Sequence, residues 1–248
     1  MSAAWKVWLC VMAATVMVAG ACKTEPDVEP ARETAATAAP ASPASSTSPA
    51  VDSTAASNGA SARTGRPTIL FVGTSLTAGL GLDAARSYPA LIGRRIDSLG
   101  LNYQVINAGV SGQTSAGTLR SIEWLMRQPV DAVVLETGAN DGLRALSVDS
   151  MRANIQAIID RVRAAHPSAR IYIVGMEAPP NMGPQYTAAF RAVYPEIASR
   201  NGATFIPFLL DGVAGVDSLN QSDGIHPNER GAEIVAENVW RVLGRDLR

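Results

Sequence analysis

Apolar residues follow two alternating patterns from residue 67 to the end of the chain. Short apolar runs rich in β-branched residues predict strands, and they occupy residues 68–73, 104–108, 131–137, 169–176 and 204–208. Apolar residues at helical spacing predict amphipathic helices, and they occupy residues 87–99, 115–127, 148–162, 184–201 and 228–243. Pro195 lies within the fourth helical stretch, where we expect it to kink the helix or to mark a break.

The alternation of strands and helices predicts one α/β domain over residues 67–248. Because the strands are almost continuously apolar, both faces of their sheet should be covered. Helices that connect successive strands then give a five-stranded parallel sheet between two helical layers. About 180 residues is an ordinary size for one such domain, and the fold class alone does not indicate an activity.

The segment over residues 23–66 shows neither pattern. Its only large apolar residues are Val28 and Val51, and the rest is mainly Ala, Ser, Thr and Pro with scattered charge. Such a composition cannot bury enough apolar surface to offset the entropy lost on ordering. We therefore expect residues 22–66 to be a disordered linker that begins at Cys22.

The first 22 residues have the pattern of an export signal. Lys6 precedes an apolar run over residues 7–21, which is short beside the roughly 20 residues of a spanning helix. Small residues end the run, so we expect a signal peptide over residues 1–21. The sequence AGAC resembles the lipobox of bacterial lipoproteins, which implies lipidation of Cys22 and a membrane anchor on the periplasmic or cell-surface side. Cleavage without lipidation would leave a soluble periplasmic or secreted protein.

Charge and residue counts exclude several functions for the domain. A formal net charge of -1 argues against nucleic acid as the main partner, since phosphate binding needs a basic surface. Both cysteines, Cys10 and Cys22, precede the domain, which therefore has no disulfide and no thiol nucleophile. The chain has only two histidines, His166 and His226, so a zinc site is not expected.

Polar side chains suited to catalysis follow the predicted strands. Ligands of parallel sheets bind beyond the carboxyl ends of the strands, and the loops expected there contain Ser75, Gly112, Asn140, Asp223 and His226. This set suits acyl transfer, with the serine as nucleophile, the histidine as its base and the aspartate orienting the imidazole. The spacing of three residues allows the aspartate and the histidine to share one turn.

The same loops offer donors for a developing oxyanion. These are the backbone N–H groups of Ser75 and Gly112 and the side-chain amide of Asn140. Each loop taken alone is equally typical of a helix cap or a turn, and it is their combination that favours catalysis. Nucleotide binding is disfavoured because the glycine-rich loops lack a P-loop lysine and a Gly-x-Gly-x-x-Gly pattern.

Over residues 67–248 the chain resembles the SGNH, or GDSL-type, hydrolases, and most closely their thioesterase I/lysophospholipase L1 and arylesterase branch. The motifs that carry the resemblance are GTSLTAG, NAGVSGQTSAG, ETGANDGLRAL, YTAAFRAVYPEIA and SDGIHPNERG. It implies a flavodoxin-like sheet, no cofactor and hydrolysis of esters or thioesters. Ser75, Gly112, Asn140 and His226 match the four namesake positions, and the third triad member is matched by Asp223.

One residue departs from the first motif of the family. Thr74 stands where the family usually has aspartate, and since the catalytic acid comes late in the chain, we expect activity to survive this change. The resemblance therefore implies a serine esterase, acting through an acyl-enzyme on small-molecule carboxylic esters, aryl esters, thioesters or lysophospholipids. We expect a monomer.

The loop over residues 177–183, after the fourth strand, is expected to wall the acyl pocket through Pro179, Pro180 and Met182. Its prolines would stiffen the loop, and the methionine would offer an adaptable apolar contact. Two alternatives stay open at this point. One is a carbohydrate or peptidoglycan O-acetyl esterase with the same catalytic set. The other is a non-catalytic lipoprotein binding module with a decayed site, which the departure at position 74 suggests.

Overall fold

A computed structural model describes residues 65–248 of the chain. The expected signal peptide over residues 1–21, the expected lipidation site Cys22 and the linker as far as residue 64 lie outside the described residues and stay predictions. Within residues 65–248, none of the helices combines the length and the apolar character needed to cross a membrane.

Five parallel strands form one sheet in the order β2-β1-β3-β4-β5. The strands are β1 (Thr68–Gly73), β2 (Gln104–Gly109), β3 (Ala132–Leu135), β4 (Arg170–Val174) and β5 (Thr204–Ile206). Every residue of β1 and β3 is buried, because these strands lie inside the sheet and helices cover both of its faces. The predicted α/β sheet is therefore confirmed, and only its strand ends differ.

The helices of the described residues are α1 (Ser75–Ala78), α2 (Tyr88–Ser98), α3 (Ser115–Leu125), α4 (Ala139–Leu143), α5 (Val148–Ala165), α6 (Pro184–Arg200) and α7 (Glu229–Asp246). Helices α2 and α7 pack together, and α3, α5 and α6 form a second group. The two groups sandwich the sheet, which confirms the three-layer, flavodoxin-like arrangement. The single-turn helices α1 and α4 were not predicted, since so few residues show no apolar periodicity.

Of the two outcomes expected at Pro195, a kink or a break, the structure excludes the break. Helix α6 continues through this proline to Arg200, although a proline lacks the N–H that would bond the preceding turn. Residues on both sides of the proline, Val193, Tyr194 and Ile197, are almost fully buried. Their packing stabilises the helix where its internal hydrogen bonding is interrupted.

The order of the strands reverses at β1 and positions the candidate site. From β1 the chain crosses to β2 on one side and then to β3 on the other side. Connections that diverge in this way leave a crevice beyond the carboxyl ends of the strands. The loops that contain the predicted functional residues open at this crevice.

Candidate active site

Ser75 is the first residue of α1 and follows the end of β1 by two positions. Its side chain is half-buried, and its Oγ lies 2.8 Å from Nε2 of His226. Helix α1 makes one turn and ends at Gly79, whose φ of 75° is the left-handed conformation that glycine adopts most easily. The short helix therefore presents the serine hydroxyl at the sheet edge, as the sequence predicted.

A tight turn before α7 joins Asp223 to His226. The backbone N–H groups of Ile225 and His226 donate to Oδ1 of the aspartate at 2.9 and 3.0 Å. Its Oδ2 lies 2.6 Å from Nδ1 of the imidazole. The N–H of His226, together with its ring, lowers the pKa of Asp223 to about 2. An ionised aspartate accepts the Nδ1 proton, which leaves Nε2 as the acceptor that faces the serine.

Three donors for an oxyanion border the same space. Gly112 has a φ of 77°, and neither its N–H nor that of Ser75 donates a hydrogen bond to any acceptor in residues 65–248. The amide of Asn140 donates one hydrogen bond to the carbonyl of Gln113 at 3.0 Å, which leaves its second proton available. All three donor residues line one cavity.

A buried carboxylate ties the two donor loops together. Asp141 is 3% exposed and accepts hydrogen bonds from the N–H and the Oγ of Ser115, at 2.8 and 2.6 Å. Asn154 donates to the same Oγ at 3.0 Å. Since Asp141 follows Asn140 in α4 and Ser115 begins α3, this contact fixes the amide of Asn140 relative to the loop that contains Gly112.

A cavity of about 530 Å³ opens beside the serine. Pro179 and Pro180 line it, as predicted for the loop after β4, whereas Met182 is not among its lining residues. Met182 ends a short 3-10 turn that begins at Pro180. A role for Met182 in the acyl pocket therefore stays a prediction.

Most of the remaining cavity wall is apolar. The larger apolar side chains include Leu76, Leu80, Leu143, Phe208, Leu210 and Ile225, and sequence reasoning missed all six. Three of them, Leu80, Leu143 and Ile225, are more than two-fifths exposed. Leucine and isoleucine residues in the loops beyond the strands could have predicted this apolar wall, because large apolar side chains exposed together often mark a binding site. Glu177, the one carboxylate on this wall, pairs with Arg191 at 3.0 Å.

The arrangement joins a nucleophile, a base and oxyanion donors at one end of an apolar cavity. A serine hydroxyl that donates to an imidazole, itself oriented by a carboxylate, can form a covalent intermediate. Within residues 65–248, no cluster of three or more His, Cys, Asp or Glu residues could hold a metal ion. The groups assembled here are those of acyl transfer.

Comparisons with known proteins agree with this chemistry. A sequence profile of the GDSL-like lipase/acylhydrolase family matches residues 71–234. Esterase TesA of Pseudomonas aeruginosa is 40% identical over 177 residues, which cover 71% of this chain and 87% of the relative. Thioesterase 1/protease 1/lysophospholipase L1 of Escherichia coli is 33% identical over 177 residues, which cover 71% of this chain and 83% of the relative.

Solved structures show the same architecture. The crystal structure of TesA superposes on the chain with a TM-score of 0.69 at 38% sequence identity. The match covers 72% of this chain and 98% of the other. The similarity therefore extends over almost the whole of the solved protein.

Proposed function

Because the chain belongs to the GDSL-like lipase/acylhydrolase family and is a carboxylic ester hydrolase, we propose that it works through an acyl-enzyme at Ser75. The observation that carries this proposal is the chain of contacts from Ser75 Oγ to His226 Nε2, and from His226 Nδ1 to Asp223. The names of its relatives, esterase and thioesterase/lysophospholipase, support the same reaction class.

In the acylation step, Ser75 Oγ attacks the carbonyl carbon of the substrate. Nε2 of His226 takes the hydroxyl proton, and the ionised Asp223 stabilises the imidazolium that forms. The carbonyl oxygen becomes an oxyanion and accepts hydrogen bonds from Gly112 N–H, Ser75 N–H and the Asn140 amide. The imidazolium then gives its proton to the leaving alcohol or thiol as the bond to the carbonyl carbon breaks.

In the deacylation step, a water molecule replaces the leaving group. Nε2 of His226 takes a proton from the water as its oxygen attacks the acyl carbon. The same donors stabilise the second oxyanion. When the bond to Ser75 breaks, the imidazolium returns its proton to the serine oxygen, and the acid is released with the catalytic groups in their starting states.

We assign the apolar cavity to the acyl chain of the substrate. A volume of about 530 Å³ lies within the range of pockets that bury small molecules and exceeds what an acetyl group needs. Leu76, Leu143 and Phe208 offer apolar contact to a chain of several carbons. This wall favours esters and thioesters of medium acyl chains over O-acetylated carbohydrate or peptidoglycan.

Hydrolysis of p-nitrophenyl esters from acetyl to palmitoyl tests the proposal, combined with labelling by a fluorophosphonate. We expect kcat/KM to rise from acetyl to medium chains, and peptide mass spectrometry to locate the phosphonyl group on Ser75. A profile that collapses beyond acetyl would favour the O-acetyl esterase. A protein that neither hydrolyses any ester nor takes the label would instead be the binding module.

Replacement of Asn140 by alanine is expected to lower kcat about 10²–10³-fold and to leave KM nearly unchanged. The amide acts on charge that exists only in the transition state, and a lost donor of this kind typically has such an effect. Steady-state kinetics on a medium-chain ester measures it. Asn102→Ala, at an exposed position before the amino end of β2, is the matched control. An unchanged kcat in Asn140→Ala would remove the amide from the mechanism.

Replacement of Asp223 by asparagine is expected to lower kcat about 10⁴-fold, because the amide no longer fixes the imidazole tautomer. The lowered pKa, about 2, keeps the aspartate ionised at every higher pH. Activity lost between pH 7 and pH 4 therefore cannot come from its protonation. The measurement is kcat between pH 7 and pH 4, and Asp217→Asn, at an exposed position, is the control. Equal kcat values in Asp223→Asn and Asp217→Asn would contradict the role assigned to Asp223.

The amino-terminal segment leads us to propose export, with lipidation at Cys22. The apolar run over residues 7–21 and the small residues before the cysteine support this proposal. Intact-mass spectrometry of the mature protein tests it. A mature chain that begins at an unmodified Cys22 would leave a secreted protein without an anchor, and a chain retaining residues 1–21 would contradict export.

A further inference from the structure

A second buried carboxyl group lies directly behind the nucleophile. Glu136 follows the last residue of β3, is 0% exposed and lies outside the cavity. Its Oε2 accepts hydrogen bonds from the Thr74 N–H at 2.7 Å and from Thr77 Oγ1 at 2.9 Å. Thr74 Oγ1 lies 3.0 Å from both carboxyl oxygens.

The Thr74 N–H, Thr74 Oγ1 and Thr77 Oγ1, which donate to Glu136, all belong to the turn that carries Ser75. Thr74 is the N-cap of α1 and makes no cap hydrogen bond with its own side chain. Glu136 takes that role from the end of the neighbouring strand, since it accepts hydrogen bonds from the Thr74 N–H and the Thr77 hydroxyl. It thereby satisfies the donors on either side of Ser75 and leaves the Ser75 N–H free for the oxyanion.

The contact is close-packed as well as hydrogen-bonded. A Cβ on Gly73 would lie 2.0 Å from Thr77 Oγ1 and 2.6 Å from Glu136 Oε2, so the glycine is what lets the carboxyl group approach the turn. Thr77 Oγ1 is also 2.8 Å from the Tyr88 hydroxyl. The turn is thus fixed from β3 on one side and from α2 on the other.

Hydrogen bonds alone stabilise this carboxyl group. The ion pairs within residues 65–248 do not include Glu136, and burial raises its pKa. A buried charge without a cationic partner is costly unless every lone pair is used. Burial of the Glu136 carboxyl group therefore costs stability, and its contacts with the serine turn are what offset this cost.

On the basis of the proposed function, we propose that Glu136 is a positioning residue for ester hydrolysis. Its carboxylate holds the turn 74–77 so that Ser75 Oγ stays within hydrogen-bond distance of His226 and the Ser75 N–H faces the cavity. Thr74 takes part in the same contact, because its hydroxyl donates a hydrogen bond to this carboxyl group.

Glu136→Gln tests the proposal, because the amide keeps the shape but replaces one acceptor oxygen with a donor. We expect kcat on a medium-chain p-nitrophenyl ester to fall about 10–100-fold, since displacement of a reacting group by about 1 Å can cost 10²-fold. KM should stay within about twofold. The rate constant of Ser75 phosphonylation by a fluorophosphonate, which needs the serine but no bound acyl chain, should fall in parallel.

The matched control is Tyr172→Phe, which removes the hydroxyl of another buried tyrosine, one that donates to Asp246, and leaves Glu136 and its donors in place. We expect it to lower the Tm but to keep kcat within about twofold. Equal losses of kcat in the two variants would overturn the proposal, since they would indicate general loosening. A folded Glu136→Gln protein with unchanged kcat would overturn it as well.

Two further variants separate the possible failures. If Glu136→Gln does not fold, Thr74→Val removes one donor with the same shape, and a kcat unchanged by it would overturn the proposal. Ser75→Ala is measured in parallel. Activity that survives in Ser75→Ala contradicts the serine mechanism itself, whereas activity lost there and kept in Glu136→Gln contradicts only the role of Glu136.

Discussion

Ser75→Ala is expected to lower kcat for ester hydrolysis by about 10⁵–10⁶-fold, the loss typical of a removed serine nucleophile. Without Oγ no acyl-enzyme forms, and His226 can at best direct a water molecule at the carbonyl carbon. KM should change little, because the apolar wall that contacts the acyl chain is untouched.

The measurement is steady-state hydrolysis of a medium-chain p-nitrophenyl ester at saturating substrate. Ser98→Ala is the control, since Ser98 ends helix α2, where its hydroxyl donates to the carbonyl of Arg95. We expect the control to retain full activity. Ser75→Ala with more than a tenth of the original kcat would show that another group forms the covalent bond or that none is formed.

His226→Ala is expected to lower kcat by about the same factor. Ser75 Oγ then has no acceptor for its proton, and the leaving group has no donor. The chain supplies its own control in His166→Ala, since these are its only two histidines. His166 lies beyond the end of α5, where its Nε2 contacts the carbonyl of Met126.

The two substitutions are expected to be strongly non-additive. When two residues act as one catalytic unit, removal of the first already abolishes nearly all of their contribution to kcat. The double variant should therefore be no slower than either single variant. If the fold-loss of kcat in the double variant equalled the product of the two single losses, Ser75 and His226 would act in different steps. In that case the 2.8 Å contact between them would not be the catalytic one.

Much of this fold could be predicted from local sequence. The apolar run Thr68–Gly73 gives β1 with its observed bounds, and the spacing of Asp223 and His226 predicts the turn that joins them. Each of these features depends on residues adjacent in the chain. Local patterns therefore sufficed for the strands and for the histidine–aspartate contact.

Features that depend on distant packing could not be predicted in the same way. Pro195 predicts an interruption, but burial of its neighbours keeps α6 continuous. Met182 has the chemistry of a pocket residue, yet it is not among the residues that line the cavity. Glu136 is one carboxylate among many in the sequence, and only the packing of β3 behind α1 brings it to the serine turn.

The distance along the chain between Ser75 and His226 also makes hydrolysis a probe of folding. The two residues are 151 positions apart, and the turn with the histidine immediately precedes α7. Contacts between such distant segments need a large loop to close, which costs more chain entropy than a local contact does. A refolding chain that has assembled β1, β2 and β3 still lacks its base. Recovered ester hydrolysis therefore reports completion of the native topology, whereas circular dichroism reports helices wherever they have formed.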